Sequence, residues 1–103
     1  MSETVLDLDG RLESSTAPLF QHRLSEASPS GQERLLLDLS RVTFIGSAAL
    51  RAILVTAKRL APAGGKLAIC APSQIARVFM VSGLDAVLPV HSDLAQARKA
   101  LDD

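Results

Sequence analysis

The chain has 103 residues, 48% apolar and 21% charged, with 11 basic and 11 acidic residues and a formal net charge of zero. This describes one small globular domain, expected over 1–103, and the balanced charge argues against nucleic acid as a partner. With no Trp or Tyr, only three Phe, and no apolar run near the roughly 20 residues of a membrane span, base stacking and direct membrane insertion are not expected either.

The opening residues, MSETVLDLDG, lack the basic start and apolar run of a signal peptide. Thr4 to Asp9 alternates apolar and polar residues well enough for a short strand, although Val5 is out of step, and Gly10 reads as a turn. A helix follows over SSTAPLFQHRLSEA. Ser15 or Thr16 can cap it, Pro18 suits its first turn, and Phe20, Leu24 and Ala27 form one stripe. Ser28 to Gly31 is a loop. Arg34 to Leu39 (RLLLDL) is a nearly continuous apolar run, as in a strand covered on both faces. Ser40 and Arg41 interrupt it before an extended pattern resumes over Val42 to Ile45.

A helix is expected over Ala48 to Leu60, with Leu50, Ile53, Leu54 and Ala57 on one face. Its late basic residues suit the helix dipole, and Pro62, Gly64 and Gly65 are expected to end it. Lys66 to Cys70 reads as a strand. Pro72 and Ser73 open a helix that buries Ile75, Val78 and Phe79 and stops before Gly83. Val87 to His91 reads as an edge strand broken by Pro89. Ser92 or Asp93 caps a last helix with Leu94, Ala97 and Leu101. Strands alternating with helices predict an α/β domain with a largely parallel central sheet of about four strands and about four helices.

Few residues suggest chemistry. No glycine-rich phosphate loop precedes a helix, because Gly46 stands alone at its junction and Gly64-Gly65 precedes a strand. Ser47 lies at a strand-to-helix corner, but Gly46-Ser47-Ala48-Ala49 is not a GxSxG elbow. The only candidate bases, His22 and His91, read as surface residues. Two distant histidines and one cysteine do not make metal-ligand spacing, so no metal and no cofactor are expected. Cys70 reads as a small core residue, and a lone cysteine fits a reducing, cytoplasmic setting. Ser47 has two readings. Its hydroxyl could cap the helix starting at Ala48. It could also accept a phosphate, which the helix N-terminus would tolerate and which would turn a bare apolar corner dianionic.

The stretch LLLDLSRVTFIGSAALRAIL resembles the signature of the STAS domain as found in bacterial anti-sigma factor antagonists. LDLDGRLESSTAPLF and GGKLAICAPSQIARVFMVSGLDAVLPV resemble other passages of that family, in the same order. The resemblance implies a mixed, mostly parallel sheet and a non-enzymatic regulatory module. It would bind an anti-sigma factor that is itself a serine-protein kinase, be switched off by phosphorylation at Ser47, and be restored by a phosphatase. The partner-binding face it implies comprises Gly46, Ser47, Ala48, Ala49, Leu50 and Arg51, with Glu13 and Ser14 from the first loop. Gly46 stands where the family usually has Asp. A second expectation is a cytoplasmic STAS subunit docking on the ATPase of a lipid-transport ABC complex, where the same corner is a fixed contact surface.

Overall fold

The computed structural model describes residues 3–102; Met1, Ser2 and Asp103, which the expected domain also includes, lie outside the described residues. The elements are β1 (Glu3–Leu12), α1 (Ala17–Ala27), β2 (Arg34–Ile45), α2 (Ser47–Ala63), β3 (Lys66–Cys70), α3 (Ser73–Val81), a 3₁₀ turn (Leu84–Ala86), β4 (Val90–His91) and α4 (Leu94–Asp102). The strands form one sheet in the order β1-β2-β3-β4, and all three pairings are parallel.

This order determines where the helices go. Each crossover between neighbouring parallel strands moves the same way along the sheet, and right-handed crossovers then place their helices on one face. The main core shows this. Leu35, Leu37 and Leu39 of β2 pack with Phe20 and Leu24 of α1, Ala49, Ile53 and Leu60 of α2, and Ile75 and Phe79 of α3. Leu36 points the other way, into a smaller cluster with Ala68, Cys70, Ala97 and Leu101, which seats α4 on the opposite face. The strand period of two thus explains why RLLLDL is apolar on both sides.

The structure corrects several local expectations. Gly10 is not a turn: β1 continues to Leu12, with Gly10 at φ +71°. Ser40-Arg41 does not break β2. Between Asp7↔Asp38 and Asp9↔Arg41, and again between Gly10↔Val42 and Arg11↔Phe44, β2 uses one more residue than β1. The first bulge is held by Asp38, whose Oδ1 accepts from the Ser40 N–H (3.0 Å) and hydroxyl (2.6 Å). These extra residues keep Val42 and Ile45 buried although their spacing departs from strict alternation.

Pro62 does not stop α2 but lies in its last turn, which Gly64 closes through N–H bonds from Gly65 to the Leu60 carbonyl (2.9 Å) and from Gly64 to that of Ala61 (3.2 Å). No basic side chain occupies that last turn. Arg59 instead reaches across to the Ser28 carbonyl (2.8 Å) and hydroxyl. β4 is shorter than expected, two residues after Pro89. Asp93 caps α4, its Oδ1 accepting from the Gln96 N–H at 2.8 Å.

Candidate functional site

The site is the corner where β2 becomes α2. Gly46, not Ser47, occupies the N-cap position, with φ −101° and ψ 177°. Its N–H donates to the Leu12 carbonyl at 2.8 Å and its own carbonyl accepts from the Leu50 N–H at 3.1 Å, so the end of β1 and the start of α2 are tied through one residue. Ser47 is therefore the first helical residue. Its hydroxyl makes no capping bond and is exposed, which overturns the expectation that it caps the helix. The physical reason is that the backbone of Gly46 already provides the extended residue before the first turn, leaving the serine side chain outside.

A side chain at Gly46 would crowd the edge of the exposed Phe44 ring. A Cβ there would lie 3.3 Å from Cε2 of Phe44 and 3.7 Å from the Leu12 carbonyl oxygen. Of the three phenylalanines, Phe20 and Phe79 are in the core, while Phe44 remains 40% exposed beside this corner. The Arg11 guanidinium covers its ring at 4.4 Å from the centroid, and Arg11 Nε donates to Glu13 Oε2 at 2.6 Å. Thr16 organises the loop between them. It was a candidate cap for α1, but its hydroxyl turns back into the loop, accepting from the Glu13 N–H at 3.0 Å and lying 3.0 Å from the Arg11 carbonyl.

Arg11, Glu13, Ser14, Phe44, Gly46, Ser47 and Ala48 line one open hollow of about 380 Å³. Five of the eight sequence candidates for partner binding are thus brought together: Glu13, Ser14, Gly46, Ser47 and Ala48. The others point elsewhere. Ala49 is fully buried, Leu50 packs against the core, and Arg51 lines a separate hollow between α1 and α2 with Gln21 and Arg59. Sequence reading missed Arg11 and Phe44. No local signal marked Phe44: Val42-Thr43-Phe44 alternates apolar and polar as if Phe44 were buried with Val42, and the second bulge of β2 turns it outward instead. α2 also carries no acidic residue in its first turn, so the positive end of its dipole is not neutralised from within the helix.

Neither histidine lines this hollow. His22 is exposed on α1 and lies 3.1 Å from Glu26, and His91 lines a hollow with Lys66 and Leu88 near β4, at the far edge of the sheet. Among the described residues no group of three or more His, Cys, Asp or Glu side chains is placed to hold a metal ion. Cys70 is buried, and burial, then the nearby Asp38 and Asp93 carboxylates, push its thiol above the usual cysteine value. Among the described residues no helix is long and apolar enough to cross a membrane.

The family model of the STAS domain matches residues 2–97. The chain belongs to the STAS domain family. It is 33% identical over 94 residues to a Bordetella bronchiseptica protein named as an anti-sigma factor antagonist, BtrV, covering 90% of this chain and 81% of that one. The STAS fold here superposes on the crystal structure of an anti-sigma factor antagonist from Mycobacterium paratuberculosis with a TM-score of 0.88 and 26% identity, covering 98% of this chain and 86% of that one. The Bacillus protein SpoIIAA shares the fold at 20% identity in both its unphosphorylated form (TM-score 0.76, 96% and 88% of the two chains) and its phosphorylated form (TM-score 0.68, 95% and 90%).

Proposed function

We propose that this STAS domain is an anti-sigma factor antagonist that docks through the α2 corner and is released by phosphorylation of Ser47. The antagonist role is supported by the Bordetella relative and the Mycobacterium neighbour, which bear that name and align over most of their length. These relatives are regulatory proteins, and the domain acts in this reading as a cytoplasmic binding module without catalysis of its own. The same names favour this role over a transporter subunit.

One observation carries the switch: the Ser47 hydroxyl sits exposed on the first residue of α2, without a capping bond, on a surface kept low by Gly46 and Ala48. An anti-sigma factor of the serine-kinase type would bind here. It would transfer the γ-phosphoryl group of ATP to Ser47 Oγ, passing the hydroxyl proton to a base of the kinase and leaving ADP. The product carries roughly 1.5–2 negative charges where a partner had closed over a nearly neutral corner. A phosphatase would return it by hydrolysis.

The test is incubation of the purified domain with such a kinase and ATP. One phosphate should appear on the native protein and none on Ser47→Ala. Labelling that survives in Ser47→Ala would refute the assignment. Recovery of a transporter ATPase as the stable partner on affinity purification would support the second role instead.

A further inference from the structure

Arg11 and Phe44 are register partners across β1 and β2, and both side chains stand in solvent at the end of the sheet nearest Ser47. Arg11 is steadied on two sides. Its guanidinium lies on the Phe44 ring, and its Nε is bonded to Glu13. Among the described residues this is the only hydrogen bond of the Arg11 side chain, so both terminal nitrogens remain available at the rim of the hollow that Ser47 also lines. The charge of Arg11 is thus present but balanced, paired at the wall of the hollow with one partly exposed carboxylate.

We propose that Arg11 is the internal receiver of a phosphate on Ser47, held in reserve by Glu13. The proposal rests on the reading of Ser47 as the phosphoacceptor. A phosphate there would face the unneutralised start of α2 on one side and the guanidinium on the other. Guanidinium forks match phosphate oxygens in two parallel bonds, whereas Glu13 holds Arg11 through one nitrogen. On phosphorylation the guanidinium turns from Glu13 to the phosphate. The face of Phe44 is uncovered and the Glu13 carboxylate is set free. A partner would then meet three changes at once: a phosphate, an unpaired carboxylate and a bared ring. Arg11 is in this sense a positioning residue, which converts one added group into a rearranged surface.

The experiment uses protein carrying phosphoserine at position 47 introduced during translation, so no kinase is needed, and follows the phosphate by ³¹P NMR titration. Arg11 favours the dianion, so Arg11→Gln should raise the titration midpoint by roughly half a pH unit or more. Arg11→Lys should recover part of that change, and Glu13→Gln should lower the midpoint below that of the native protein. An unchanged midpoint in Arg11→Gln overturns the proposal. Failure of the underlying phosphoacceptor reading would appear elsewhere, as absence of kinase labelling at Ser47, and would leave the titration result intact.

Discussion

The two ends of the sheet are built in opposite ways. At the N-terminal ends of the strands, loops are knitted together. Ser28 is fully buried, its hydroxyl donates to the Leu24 carbonyl at 2.6 Å, and it accepts from Arg59 of α2. Glu33 Oε2 accepts from the Ser30 hydroxyl at 2.8 Å, while the Glu33 carbonyl accepts from the Lys66 N–H at 3.0 Å. Gly65 passes so close to this loop that a Cβ would lie 2.3 Å from the Gly31 carbonyl oxygen. At the C-terminal ends, the corner at Ser47 is open and its side chains are committed to few partners. In open α/β sheets the carboxyl ends of strands are where ligands and partners bind. The contrast separates stability from recognition: one end holds the fold, and the other is free to be covered or charged.

The strongest way to break this contrast is Gly65→Ala. Because the obstacles are backbone oxygens of Gly31 and Glu33, the loop must move, and overpacking of this kind costs about 1–3 kcal/mol or more. Thermal unfolding should show a large loss. A variant as stable as the native protein would mean that this end is less tightly specified than its geometry implies. Ser28→Ala should follow, at about 1–2 kcal/mol in urea unfolding, because it removes a buried hydroxyl that bonds to both α1 and α2.

Two pH effects sharpen the same contrast. Partial burial raises the Glu33 carboxyl, but hydrogen bonds from the Ser30 hydroxyl and from nearby backbone N–H groups outweigh it and hold the group below the usual carboxylate value. A depressed acid stabilises the fold above its unfolded value of about 4.3, and that contribution is lost as pH falls through the folded value. Native protein should therefore lose stability in acid more steeply than Glu33→Gln, and parallel acid profiles would contradict this. Cys70 works in the opposite sense. Its thiol is raised, so folding favours the protonated form, and stability should decline once pH rises above the unfolded value of about 8.5. Iodoacetamide should leave Cys70 unmodified in folded protein at neutral pH and label it after denaturation. The smallest expected change in stability is at the other end: Ser47→Ala should shift it by no more than about 0.5 kcal/mol, since the hydroxyl forms no capping bond.

Much of the fold was legible because it depends on local pattern. KLAIC forms β3 with the expected bounds, and the stripe Phe20–Leu24 and the pair Ile75–Phe79 face the core as their spacing requires. The parallel sheet followed from the alternation of elements. What was not legible depends on contacts distant in sequence. The bulges of β2 exist only relative to β1, so Ser40-Arg41 looked like an interruption. The cap passed from Ser47 to Gly46 because Leu12, far away in the chain, accepts the Gly46 N–H. Arg11 and Phe44 joined the site only through strand pairing, which no local motif announces. The bare corner from Gly46 to Ala49 was legible in the residues themselves, the resemblance added Leu50, Arg51, Glu13 and Ser14, and the structure divided the set into those that share the hollow and those, such as Ala49, that face the core.

The central claim is that charge at this open corner decides binding. The direct measurement is calorimetric titration of a kinase-type anti-sigma factor with native protein and with protein carrying phosphoserine at position 47. A loss of affinity of at least about tenfold on phosphorylation, corresponding to about 1.4 kcal/mol, is the predicted result. Equal affinity for the two forms would contradict the account.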